Sequence, residues 1–243
     1  MPDWLLAAIA GLLAGGALLA GAIIAWFVRV PTRIVAGVMA FGAGVLTSAL
    51  AFDLVLEAQN EGGFWPTVGG FAVGAVVYVA ANRLLDRFGQ RNPRGLGESP
   101  GTGLGIALGA LLDGIPESAV LGLSMVGGGG VSIPVFVAIV ISNVPEGLSS
   151  TADLKASGRS RTYVFVLWTC ITLASAVAAV GGFVLLNGAS GELIAFITAL
   201  AAGAILAMIC DTMIPEAFRT AHAWTGLLST AGFLLSYAIH VGG

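Results

Sequence analysis

Eight apolar stretches, each about as long as a lipid bilayer is thick, constrain this 243-residue chain more than any other feature. They run over roughly 4–28, 34–58, 64–85, 102–126, 131–152, 162–187, 193–218 and 222–242. A helix of about 20 predominantly apolar residues crosses the hydrocarbon core. Only 9% of the residues are charged, against about 25% in a soluble domain, so a water-facing surface cannot be assembled from them. The expected fold is therefore one all-α integral membrane domain over 1–243, with lipid as its solvent. The breaks between stretches carry turn chemistry: Arg29-Val30-Pro31, Glu61-Gly62-Gly63, the glycines Gly127 to Gly130, and Asn187-Gly188. Asp86 to Pro100 is polar and reads as a surface linker. The N-terminus lacks the basic region of a signal peptide, so the first stretch is expected to be retained.

The ten basic residues are Arg29, Arg33, Arg83, Arg87, Arg91, Arg94, Lys155, Arg159, Arg161 and Arg219. All fall at or beside the connections 1–2, 3–4, 5–6 and 7–8. Basic loops stay in the cytoplasm, so eight spans place both termini outside, in a cell inner (plasma) membrane. No basic patch suited to nucleic acid exists outside these short loops. Small-xxx-small spacings such as Gly11/Gly15, Gly70/Gly74 and Gly105/Gly109 predict close helix contacts inside the bundle, with a homodimer face as the alternative. Cys170 and Cys210 lie in apolar runs and read as small packing residues rather than a disulfide or metal pair.

Seven of the thirteen acidic residues lie within the spans: Asp53, Glu57, Asp113, Glu117, Glu146, Asp211 and Glu216. No Lys or Arg lies deep in a span to pair with them. An ionised carboxylate at the bilayer centre costs at least about 2.5–3.5 kcal/mol, so such groups face a protein interior or a wet cavity. Carboxyls bridging helices would explain one of them; seven without basic partners point to a cation pathway. Asp113 and Glu117 share a helix face at i, i+4, as do Asn143 and Glu146 at i, i+3. Glu57 falls near the outer end of the second span and Glu216 near the inner end of the seventh, in the positions of an entry and an exit. Pro116, Pro145 and Pro215 each precede a glutamate, and each frees a carbonyl one turn back, at Leu112, Ile141 and Asp211. Freed carbonyls beside carboxylates make an oxygen-rich cation site.

Two internal matches accompany these motifs. Leu112-Asp113-Gly114-Ile115-Pro116-Glu117-Ser118 aligns with Ile141-Ser142-Asn143-Val144-Pro145-Glu146-Gly147 at an offset of 29. Ala43-Gly44 and Glu57-Ala58 align with Ala202-Gly203 and Glu216-Ala217 at an offset of 159. The paired helices run in opposite directions, as in the inverted repeats of secondary transporters.

These Pro-Glu motifs, the eight spans and the Met213-Ile214-Pro215-Glu216-Ala217 segment resemble the ZIP (Zrt/Irt-like) family of divalent metal transporters, with the bacterial GufA-like branch nearest. The resemblance implies a 3+2+3 inverted-repeat bundle and transport toward the cytoplasm, chiefly of zinc, with iron, manganese or cadmium in some members. It implies a central metal site on the fourth and fifth helices. By position Glu117 and Glu146 match the metal-bridging glutamates, and Asn143 matches a polar ligand. Asp113 stands where the family usually has histidine, Gly114 where it has asparagine, and Ser118 where it has glycine. The expected ligand set is Asp113, Glu117, Asn143 and Glu146, with Asp53, Glu57, Ser142, Asp211 and Glu216 along the pathway. Without the imidazole, this oxygen set should favour harder ions such as manganese. His222 and His240 read as interfacial residues.

Two other readings keep the same residues: a non-transporting metal sensor or permease for another cation, and an intramembrane enzyme built on paired carboxylates. No P-loop, His-Glu-x-x-His or Ser-His signature is present, so the chain is expected not to be an enzyme and to carry no cofactor besides the metal it binds or moves.

Overall fold

The computed structural model describes residues 2–87, 103–128 and 130–242. The described residues contain eight helices long and apolar enough to cross a membrane, and no strand. These are α1 (Asp3–Phe27), α2 (Thr32–Gly62), α3 (Phe64–Arg87), α4 (Gly103–Leu123), α5 (Ile133–Ala156), α6 (Arg161–Leu186), α7 (Gly191–Ala221) and α8 (Trp224–Gly242). Of the expected linker from Asp86 to Pro100, Asp86 and Arg87 continue α3, while 88–100, with Arg91 and Arg94, lies outside the described residues. Gly63 ends α2 at φ 79°, a left-handed conformation that glycine adopts without steric cost.

Packing is carried by glycine. α3 lies against α7 because Gly70 and Gly74 present bare backbone to the carbonyls of Phe196 and Leu200, while Gly203 does the same toward Phe71. α8 lies against α2 through Gly44 on the carbonyl of Ser229 and Gly232 on that of Phe41. α1 packs on α5 and α6, with Gly11 and Gly15 set against Ser175, and α4 packs on α6. Lipid offers no hydrophobic drive between helices, so this close approach and the hydrogen bonds it permits hold the bundle together. The Gly11/Gly15 and Gly70/Gly74 spacings thus serve internal packing. The cysteines do not: Cys170 and Cys210 are both exposed, because they lie on helix faces that no neighbour covers.

α2 and α7 run antiparallel through the middle, each against the other and against α5 or α4. Each is interrupted by a π-helical segment, Leu50–Val55 in α2 and Ile209–Met213 in α7. The segments start at Leu50 and Ile209, the same 159-residue spacing that aligns Glu57 with Glu216. In α7 the segment leads directly into Pro215, whose missing N–H cannot continue the α ladder. Pro116 and Pro145, by contrast, lie inside unbroken α4 and α5.

At one end of the bundle Lys155 Nζ donates to the carbonyl of Trp26 at 2.9 Å, and Arg161 sits over the ring of Phe27 at 4.8 Å. The basic connection 5–6 therefore meets the end of α1 and connection 1–2. At the other end Gly191 abuts the carbonyl of Glu61, joining connections 2–3 and 6–7, which carry carboxylates instead.

Candidate cation site

The motif helices deliver their carboxylates to the middle of the bundle. Asp113 and Glu117 on α4 are each only 2% exposed, and Ser142 and Asn143 on α5 are buried beside them. The i, i+4 spacing puts both α4 carboxyls on the face turned inward. Glu117 has no access to solvent at Oε2 and no hydrogen-bond partner there. Its electrostatic neighbours are Glu146 and Asp113. An orphaned carboxylate oxygen beside two more carboxylates is a costly arrangement unless a cation or proton offsets it.

A small central pocket of about 10 Å³ is lined by Met39, Asp113, Ser142, Glu146, Met208, Met213 and Glu216. That is room for about one water-sized sphere. Of the expected central set, Asp113 and Glu146 line this pocket, whereas Glu117 and Asn143 do not. Asn143 instead donates from Nδ2 to the carbonyl of Ala14 at 2.9 Å, tying α5 to α1. Glu216, expected near an exit, lines the central pocket as well, and Ser149 Oγ donates to its Oε1 at 2.6 Å. Among the described residues no three His, Cys, Asp or Glu side chains stand close enough together to ligate one ion. Besides the oxygen donors expected from the sequence, three methionines from α2 and α7 line the pocket. A methionine in an apolar run looks like any core residue, so no sequence signal singled them out.

Two larger cavities flank the centre. One, of about 50 Å³, lies at the basic end and includes Val30, Thr32, Ser149, Ala152, Glu216 and Thr220 in its lining. It shares Met39 and Glu216 with the central pocket, so these two side chains stand at a common neck. The other, of about 500 Å³, opens at the carboxylate-bearing end and is lined by Phe52, Asp53, Leu56, Glu57, Asn60, Glu61, Ser132 and His240. It has no lining residue in common with the central pocket.

The expected pathway residues Asp53 and Glu57 thus both line one vestibule. His240, expected at an interface, lies there too, with Nδ1 2.9 Å from Asp53 Oδ1 and its ring against Phe52. Its partner is 187 residues away, which no local pattern could reveal. Asp211 departs from expectation: it is exposed and lines none of these three cavities, because the π-helical turn that contains it rotates it off the inward face. His222 ends α7 in a left-handed conformation, φ 47°.

No family model matches the sequence. Over 184 residues, 74% of this chain, it is 32% identical to the Arabidopsis thaliana protein named Putative zinc transporter. The matched part is 29% of that protein's length, so the chain spans less than a third of its relative.

Proposed function

We propose that this chain carries a divalent metal cation of the zinc class across a membrane by alternating access, on a ZIP-type fold. The observation that carries this reading is the buried Glu117 carboxylate, with one oxygen unpartnered, beside Asp113 and Glu146. A cation would serve as partner to that Glu117 oxygen, since every described Lys and Arg falls toward a helix end. In this reading Asp113, Glu117 and Glu146 supply charge for the ion, Ser142 lines its path, and Asn143 anchors α5 to α1 as well as standing at a ligand position.

The packing supports an inverted repeat in which α1, α2 and α3 correspond to α6, α7 and α8, and α4 to α5. Under that exchange the α3–α7 contact becomes the α8–α2 contact, and α1–α5 becomes α6–α4. The two π-helical segments exchange as well. The cavities support one half of the transport cycle. The centre communicates with the basic end through Met39 and Glu216, and the vestibule of Asp53, Glu57 and His240 is separate from it. With basic loops in the cytoplasm and both termini outside, this is an inward-facing arrangement. Rocking of the two repeats would close the neck at Glu216 and join the vestibule to Asp113.

Zinc is favoured over manganese because the pocket sets methionines beside the carboxylates, and thioether sulfur prefers softer ions. The name of the Arabidopsis relative points the same way. The test is uptake of zinc, cadmium, iron and manganese into proteoliposomes holding the purified chain. Saturable uptake with zinc or cadmium ahead of manganese is the expected result. Metal binding without uptake of any ion would replace transport with sensing. In the same assay Asp113→His, which restores an imidazole, is expected to raise the zinc-to-manganese uptake ratio by about tenfold, equivalent to ~1.4 kcal/mol. An unchanged ratio would remove position 113 from the ligand set.

A further inference from the structure

α3 carries no motif residue, and 22% of its span is buried. Its inward face is one stripe, Thr67, Gly70, Gly74 and Tyr78, at helical spacing. The two glycines seat the stripe on α7. One turn farther on, the same stripe carries Tyr78 to a site on a different helix. Tyr78 is 2% exposed, and its hydroxyl donates to Asp113 Oδ1 at 2.8 Å. Both partners are buried, and Asp113 lines the central pocket.

We propose that Tyr78 is a positioning residue of the cation site, acting through Asp113; this rests on the reading of Asp113 as a ligand of the transported ion. A phenol that donates to a carboxylate fixes its rotamer and holds its charge in place, as outer partners of metal ligands commonly do. A tyrosine ring is rigid and locked by packing on all sides, so the hydroxyl is set before an ion arrives. The phenol of α3 occupies Oδ1 of Asp113 and so fixes the direction in which the carboxylate presents its other oxygen. Because α3 is seated on α7, which bears Glu216, Met208 and Met213, the bond couples the α4 ligand to a helix that supplies three more of the pocket's lining residues.

The experiment uses the full chain in proteoliposomes with Zn²⁺ as the probe, measuring equilibrium binding together with the KM and maximal rate of uptake. Tyr78→Phe keeps the ring and removes only the donor. It is expected to weaken zinc binding and raise KM by roughly 10–100-fold, the usual cost of losing an outer partner. The maximal rate should change far less, which a general loss of folded protein would not reproduce. The double variant Y78F/D113N removes both ends of the bond, and so remains informative if Y78F alone folds poorly. It should bind zinc as D113N does, because Tyr78 acts only through Asp113. If D113N loses affinity while Y78F matches the unsubstituted chain, or if the two losses add, the positioning role is overturned and the site stands. If D113N itself binds and transports zinc normally, the site assignment fails and the role of Tyr78 falls with it.

Discussion

Glu117→Gln is expected to reduce zinc uptake by two orders of magnitude or more while the protein still inserts and purifies as a folded species. The substitution keeps the shape of the side chain and removes its charge. Glu117 is 2% exposed with an unpartnered oxygen, so in the empty protein the amide should be tolerated at least as well as the carboxylate. Thermal stability without metal should therefore rise or stay level, whereas stabilisation by added zinc, which follows from binding to the folded state alone, should vanish. The opposite movement of these two readouts separates loss of a ligand from loss of the fold. Glu146→Gln should behave alike in uptake, since that carboxylate lines the central pocket and is an electrostatic neighbour of Glu117. Normal uptake by both variants would exclude the central carboxylates from the pathway.

Gly74→Leu is expected to give little or no monodisperse protein. A Cβ at Gly74 would overlap the backbone carbonyl of Leu200, and backbone cannot rotate away as a side chain can. The helices would have to part, breaking the neighbouring contacts of Gly70 and Gly203 with Phe196 and Phe71. Overpacking a core ordinarily costs about 1–3 kcal/mol, and a Cβ set against backbone belongs at the upper end or above. Gly16→Leu is the matched control, because nothing lies within 4 Å of a Cβ there. Size-exclusion chromatography of the two detergent-solubilised variants distinguishes them; equal profiles would mean that α3 and α7 do not meet through Gly74.

The eight membrane-length helices could be read from hydropathy because bilayer thickness fixes helix length and a helix satisfies its backbone internally, so little tertiary information is needed. Less of the site was readable. Asp113 and Glu146 stand out through the Pro-Glu spacing, and both line the central pocket. Asn143 illustrates an ambiguity in chemistry: an amide can offer oxygen to a metal or N–H to a helix, and here Nδ2 is committed to Ala14. Asp211 stands out in the sequence only for lying within a span; it is exposed, in a π-helical turn that carries more residues and resets the facing of those that follow. Pro215 marked that interruption in α7; nothing marked its counterpart in α2 except the 159-residue alignment. Tyr78, Met39 and His240 depend on contacts across the bundle, and each is an ordinary membrane residue to a reader of one helix at a time.

The wide vestibule holding Asp53, Glu57 and Glu61 has a consequence for how ions arrive. A cleft with one sign of charge and low-dielectric walls focuses its field lines, raising the local concentration of counter-ions. Boltzmann weighting squares that enrichment for a divalent ion relative to a monovalent one. In the proposed transporter the mouth would therefore sort ions by valence before any coordination geometry is tested. At physiological ionic strength the field fades within about 8 Å, so collection draws on ions already close to the membrane surface. Lowering the salt extends that reach, and the rate of capture at scarce metal should rise with it, even though the carboxylates at the centre are unchanged.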